Sequence, residues 1–269
     1  MTKFDLQFRD CLNGMSKLKS RSIDLVVTSP PYNLGIAYGK YFDRGKRADY
    51  LLWSVQWATE LRRVLKPDGS FFLNLGASPS NPMLPHELLL KFRELFVLQN
   101  TIHWIKAISI DDEREGVMSR GHFKPINSRR FLNDCHEYIF HLTPRGRTII
   151  DRLALGVPYA DKSNIARWSH TRGRDRRCRG NTWFIPYKTI VRRDKDRPHP
   201  ASFPVELAEN CIRLHGVKKT RAVLDPFLGI GNSAIAAQRC GVKKFVGFEI
   251  DKNYFSEAER RIAAQSSLG

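Results

Sequence analysis

Cysteine is scarce and scattered. The five, Cys11, Cys135, Cys178, Cys211 and Cys240, include no C-x-x-C pair, so neither a zinc knuckle nor a disulfide framework has support, and no metal is called for. No run approaches the ~20 apolar residues of a membrane span, and Met1-Thr2-Lys3-Phe4-Asp5 lacks the apolar stretch of a secretory signal. The expectation is a cytoplasmic protein with no membrane partner. There is no G-x-x-x-x-G-K-[ST], so an ATP-binding loop has no support either. Acidic residues are the most conspicuous shortage: 27 Asp and Glu face 45 Lys and Arg, a formal net charge of +18. That balance favours a polyanionic partner, nucleic acid before acidic membrane.

The length of 269 residues fits one large domain or one domain with an insertion. Charge marks the insertion. Between 145 and 197 stand fifteen Lys and Arg against five Asp, about +10 of the +18. The densest part holds Arg172, Arg174, Arg176, Arg177 and Arg179, with Trp168, Trp183, Phe184 and Tyr187 interleaved. Guanidinium forks suit phosphates and guanine edges, and aromatic rings suit unstacked bases. The organisation expected is therefore 1–143, a basic region at 144–198, and 199–269.

Either side of the insert, strands and helices alternate. Strands are predicted over 3–8, 23–27, 70–75, 96–104, 137–142, 221–225 and 244–250. Helices are predicted around 15–18, over 48–65 and 87–94, and over 205–214, 233–239 and 253–264. Lys66-Pro67-Asp68-Gly69 reads as a turn, 107–130 as an exposed loop, and 34–47 as a mobile loop. Trp53 and Trp57, four apart on a helix, read as core. The alternation of elements predicts an α/β class with a mostly parallel twisted sheet.

One strand ends abruptly. Ile23-Asp24-Leu25-Val26-Val27 runs into Thr28-Ser29-Pro30-Pro31-Tyr32-Asn33, and two prolines cannot continue a ladder. The result is a stiff tip at the carboxyl end of a strand, where ligands bind in open α/β sheets. It presents the Ser29 hydroxyl, the Pro30 carbonyl and the Tyr32 ring. Two acceptors beside an aromatic surface suit a planar ring bearing an amine; a proline-stiffened turn is the plainer reading. Asp10, where the first strand turns into a short helix, is read equally as a helix cap or as an acceptor for a ligand amine.

The second segment is Leu224-Asp225-Pro226-Phe227-Leu228-Gly229-Ile230-Gly231-Asn232-Ser233, a strand, a glycine turn and the start of a helix. A further strand ends in Glu249, about twenty residues past the turn. Glycines there let a nucleotide approach the backbone, and a carboxylate at that spacing suits ribose hydroxyls. The third glycine of the dinucleotide fingerprint is missing.

Together these segments resemble the DNA amino-methyltransferases, over nearly the whole chain outside 144–198. Thr28-Ser29-Pro30-Pro31-Tyr32 matches the family's [D/N/S]-P-P-[Y/F] catalytic motif, and Asp225 to Gly231 its D-P-F-x-G-x-G cofactor motif. Phe248-Glu249 matches the acidic strand end, His199-Pro200-Ala201-Ser202-Phe203-Pro204 the segment at the methionine end, and Asp10 the carboxylate near the adenine amine. The motif order, catalytic then variable then cofactor, is that of the beta group. The resemblance implies a Rossmann-like methyltransferase fold, circularly permuted, with a basic target-recognition insert. It implies S-adenosylmethionine held by Asp10, Thr28, Ser29, Ser202, Phe203, Asp225, Phe227, Gly229, Gly231, Asn232, Ser233 and Glu249. Catalysis falls to Ser29, Pro30, Pro31 and Tyr32, and DNA contact to the arginines at 172, 174, 176, 177 and 179.

Asn232-Ser233 departs from the family's usual threonine pair. Serine at 29 implies cytosine N4 as the acceptor in double-stranded DNA, with adenine N6 the alternative and a non-catalytic DNA-binding protein a remote third. A cognate restriction endonuclease acting separately fits such an enzyme; monomer and homodimer both stay open.

Overall fold

The structure, a computed structural model, describes all residues except 34–36, 39, 40, 43, 44, 114, 115, 122–125, 187–201 and 267–269. In chain order the elements begin with β1 (Lys3–Phe8), α1 (Cys11–Met15), β2 (Ile23–Thr28), β3 (Ala37–Tyr38), β4 (Tyr41–Phe42), α2 (Arg47–Val64), β5 (Leu65–Leu75) and α3 (Leu84–Phe92). They continue with β6 (Val97–Ile105), β7 (Ala107–Asp112), β8 (Gly116–Gly121), β9 (His136–Thr143), α4 (Ser163–Arg167) and β10 (Thr182–Phe184). The last are α5 (Val205–His215), β11 (Ala222–Asp225), α6 (Asn232–Arg239), β12 (Lys244–Glu249) and α7 (Lys252–Ser266).

Eight strands form one sheet in the order β1-β12-β11-β2-β5-β9-β6-β10. β9 alone runs antiparallel to its neighbours β5 and β6. Every residue of β2 and β11 is buried, as a parallel strand covered on both faces requires. Within β2 the buried Asp24 sets the alignment. It accepts from the backbone N–H of Arg221 and Ala222 at the start of β11 and pairs with Lys66 at 2.6 Å.

The crossovers from β2 and β11 diverge. From β2 the chain passes through α2 to β5, and from β11 through α6 to β12, on the other side. A right-handed crossover puts the two helices on opposite faces. Accordingly Trp57, Ala58 and Leu61 of α2 join one core cluster, while Ala234, Ile235 and Ala236 of α6 join the other. The carboxyl ends of β2 and β11 are thus the switch point where a crevice opens.

Three expectations change. Lys66–Gly69 is no free turn: β2 advances from Ile23 to Leu25 while its partner β5 advances from Leu65 to Ser70, so the extra residues leave the register as a bulge inside one long strand. Residues 107–112 and 116–121 pair as antiparallel strands, β7 with β8, whose weakly apolar alternation hid them. Trp183 is no base-stacking ring. It is 1% exposed, on a strand that pairs with β6 at the sheet edge; apolar packing, not the surrounding charge, decided its place. The loop at 34–47 falls in part, and Tyr187 and His199-Pro200-Ala201 entirely, outside the described residues.

Candidate active site

The proline tip and the glycine turn meet at the crevice. Thr28 Oγ1, at the end of β2, donates to Asp225 Oδ1, at the end of β11, over 2.6 Å. Ser233 Oγ donates to Asp225 Oδ2 and the Phe227 N–H to Oδ1. Burial pushes the Asp225 carboxyl up to about 6, although those three donors favour its charged form. On the other flank Tyr50 Oη donates to the Pro31 carbonyl at 2.7 Å, which fixes the tip against α2.

The turn from Phe227 to Asn232 demands glycine. Gly229 has φ +53° and Gly231 φ +81°, a region costly for other residues. A Cβ on Gly231 would also meet Ala258 Cβ at 3.1 Å. Glu249 closes the turn: Oε2 accepts from the Gly229 N–H, and Oε1 from those of Ile250 and Asp251. Burial raises its pKa above the ordinary glutamate value.

Between tip and turn lies a cavity of about 170 Å³. Ser29, Pro31, Tyr32, Trp53, Asn74 and Glu137 line one end of it. Phe203, Phe227, Gly229, Asn232 and Glu249 line the other, with Asp10 and Ser202 also in the wall. Thr28, Asp225 and Ser233 are buried behind that wall, where they hold the turn; Pro30 is buried and Gly231 caps α6. Asp10 serves as the helix cap, accepting from the N–H of Leu12 and Asn13, and lines the cavity as well. Trp57 is core, but Trp53 reaches the cavity and packs edge-on against Phe227 at 5.6 Å. Cys11, in the same wall, is no nucleophile: burial first, then Asp10, pushes its thiol up to about 12.

At the tip end stand three residues that sequence pattern did not single out. Ser29 Oγ and Tyr32 Oη are 2.6 Å apart. Asn74 Nδ2 donates to Tyr32 Oη at 2.8 Å and to Glu137 Oε2 at 2.7 Å, with Ser29 Oγ at 3.4 Å. Tyr32 Oη also reaches two acceptors at 3.2 Å, Glu137 Oε2 and the Asn74 carbonyl, and Lys106 Nζ pairs with Glu137 Oε1 at 3.1 Å. Two signals were present: Asn74 is a polar residue inside Phe71-Phe72-Leu73-Asn74-Leu75, and Glu137 is a charged residue near the start of a strand whose last five residues are buried.

A family model described as DNA methylase matches residues 23–260. The chain belongs to the N6/N4 DNA methylase family. It is 26% identical to the type II methyltransferase M.BglII of Bacillus subtilis over 95% of this chain and 68% of that one. It is 27% identical to the DNA adenine methyltransferase YhdJ of Escherichia coli K12, over 96% and 82%. In fold it matches the PvuII DNA methyltransferase, described as cytosine-N4-specific, with a TM-score of 0.69 at 19% identity, covering 99% of this chain and 93% of that one. This DNA methylase takes its methyl group from S-adenosylmethionine. The cavity fits that cofactor at its turn end: glycine backbone, a strand-end carboxylate, apolar walls at Phe203 and Phe227, and a buried Asn232 Oδ1 with no partner among the described residues. No helix among the described residues is long and apolar enough to cross a membrane.

In the basic region Arg172, Arg174, Arg176, Arg177 and Arg179 are all exposed. Arg176 is spent differently. Its Nε and Nη2 donate to the carbonyls of Leu153 and Ala154, so part of its fork ties two segments of the region together.

Proposed function

We propose that this DNA methylase methylates the exocyclic N4 of a cytosine flipped out of double-stranded DNA. The observation that carries the reading is the acceptor at the tip: Ser29, a hydroxyl with no carboxylate of its own, stands 2.6 Å from Tyr32 Oη on the wall shared with the cofactor turn. S-adenosylmethionine supplies an electrophilic methyl group when bound. The protein's share is positioning. Ser29 Oγ and the Pro30 carbonyl accept the two N–H bonds of the amine from outside the ring plane, which frees the nitrogen lone pair. Tyr32 stacks on the extruded ring and recovers roughly 1–3 kcal/mol of the flipping cost. At the turn end Asp10, Ser202, Phe203, Phe227, Gly229, Asn232 and Glu249 hold the cofactor, with Thr28, Asp225, Gly231 and Ser233 supporting the turn. Residues 144–198 recognise the target, through Arg172, Arg174, Arg177 and Arg179 on the phosphates and base edges.

Adenine N6 is the second reading, favoured by the 27% identity to an adenine methyltransferase. Mass spectrometry of nucleosides from DNA treated with the protein separates them. N4-methylcytosine supports the reading; N6-methyladenine alone overturns it. Tyr32→Ala is expected to lower turnover severely while cofactor affinity changes little, measured by labelled methyl transfer and by calorimetry.

A further inference from the structure

We infer that Glu137 is the proton acceptor for the reaction, reached from the substrate amine through the hydroxyls of Ser29 and Tyr32. The inference rests on the reading of Ser29 as the amine's acceptor and goes beyond it by naming where the proton ends.

Four observations support it. The first is continuity. Ser29 Oγ, Tyr32 Oη and Glu137 Oε2 form an unbroken line of oxygens, with steps of 2.6 and 3.2 Å. If Ser29 donates to Tyr32 and Tyr32 to Glu137, Ser29 Oγ, which lines the cavity, keeps a lone pair for an amine beside its 3.4 Å contact from Asn74 Nδ2. The second is the carboxylate itself. The tip has no base of its own, since a serine hydroxyl has no useful basicity near neutral pH. Glu137 is the carboxylate in the tip end of the cavity wall.

The third is the burial of the pair. The side chains of Lys106 and Glu137 are 14% and 12% exposed. A pair so removed from water is a poor source of stability, because desolvation offsets its attraction. Its presence in the wall of a reaction cavity points to use. The fourth is Asn74. Its Nδ2 gathers Tyr32 Oη and Glu137 Oε2, while its Oδ1 is buried with no partner among the described residues. The fold leaves one acceptor unsatisfied to hold those two oxygens together.

The proton count closes. When the amine nitrogen gains its methyl group it carries one proton in excess. That N–H bond breaks and an O–H bond forms at Ser29 Oγ. The proton Ser29 held passes to Tyr32 Oη, and the one Tyr32 held passes to Glu137 Oε2. The nitrogen ends neutral, both hydroxyls end as they began, and Glu137 ends as the acid beside Lys106. Glu137 then returns its proton to water as product leaves. No further reactant is required.

The test uses the full chain on DNA that the parent protein methylates. Single-turnover methyl transfer is measured for Glu137→Gln, for Tyr32→Phe and for the double variant, with cofactor affinity and melting temperature alongside. Each single variant is expected to lose about 100-fold or more in rate, the scale of a positioned proton acceptor, with cofactor Kd within about twofold. The double variant is expected to lose little beyond the worse single, because relay members act as a unit. Glu137→Asp is expected to restore part of the rate. Glu137→Gln within threefold of the parent overturns the relay, and so do losses that multiply in the double variant. Tyr32→Phe retains the ring and stays informative even if Glu137→Gln does not fold. Nucleoside analysis of the parent reaction keeps the two ideas apart: N6-methyladenine there overturns the cytosine reading while the variant rates still judge the relay. A parent protein that methylates no DNA overturns both.

Discussion

Thr28 Oγ1 donates to Asp225 Oδ1 at 2.6 Å, joining the strand that carries the proline tip to the strand that carries the glycine turn. The two residues are 197 positions apart, so this buried bond sets the two halves of the site in register. Thr28→Val keeps the shape and removes the donor. Leaving a buried acceptor short of a partner costs about 1–3 kcal/mol. The variant is expected to melt several degrees lower and to bind S-adenosylmethionine more weakly, checked by calorimetry. A Thr28→Val protein with unchanged melting and unchanged affinity would show that the halves are aligned by other contacts.

Glu249→Gln tests the turn. The carboxylate organises three backbone N–H groups, and an amide can accept with only one of its two heavy atoms. Hydrogen bonds to a charged group contribute about 1.5–3 kcal/mol, so cofactor affinity is expected to fall by roughly 10- to 100-fold. Titration of the purified variant with S-adenosylmethionine reads this directly.

The arginines of the basic region divide into two kinds. Replacing Arg172, Arg174, Arg177 or Arg179 by Gln is expected to lower the slope of log affinity for DNA against log salt by about 0.9 for each phosphate that the variant no longer neutralises. Arg176→Gln is expected to leave that slope alone and to lower stability, because its guanidinium holds the Leu153 and Ala154 carbonyls. Equal slopes for all five variants would contradict the division.

Acid is expected to destabilise the protein through two buried histidines. His141 and His215 both hydrogen-bond to Ser70 Oγ, and burial lowers each from 6.5 to about 3. The unfolded chain takes up these protons first, so stability falls as pH drops below about 6.5 and the loss is complete near 3. Asp225 acts in the opposite sense. Its pKa rises from 3.8 to about 6 on folding, so its contribution is fully present below 3.8 and is lost as pH rises through 6. Glu249, also raised by burial, acts with Asp225, and His136, also lowered by burial, acts with the histidines; the two large histidine shifts outweigh the one large carboxyl shift between pH 4 and 6. The melting temperature is expected to fall from pH 7.5 to pH 5, with a shallower fall in His215→Gln.

Most of the frame could be read from local pattern. The strands at 3–8, 23–27, 221–225 and 244–250 are short, apolar and bounded by Pro, Gly or Asp, and each lies where expected. The tip and the turn were legible for the same reason: prolines and glycines dictate backbone geometry without help from distant residues. Glu137, Asn74 and Lys106 were not legible as a set, because separate stretches of the sheet bring them together and no spacing in the chain records that. Trp183 failed differently. It stands just past the exposed basic run that ends at Arg179, and only pairing with β6 reveals that it is core. Arg176 looked like the arginines around it until its acceptors were known.

The strand Thr182–Phe184 bears on any test of the proposal that residues 144–198 recognise the target. Exchange of the whole interval 144–198 with a relative would tear Trp183 out of the recipient's interior and strip β6 of its outer neighbour. A graft confined to 144–181 keeps that anchor native, and it is the chimera to build first.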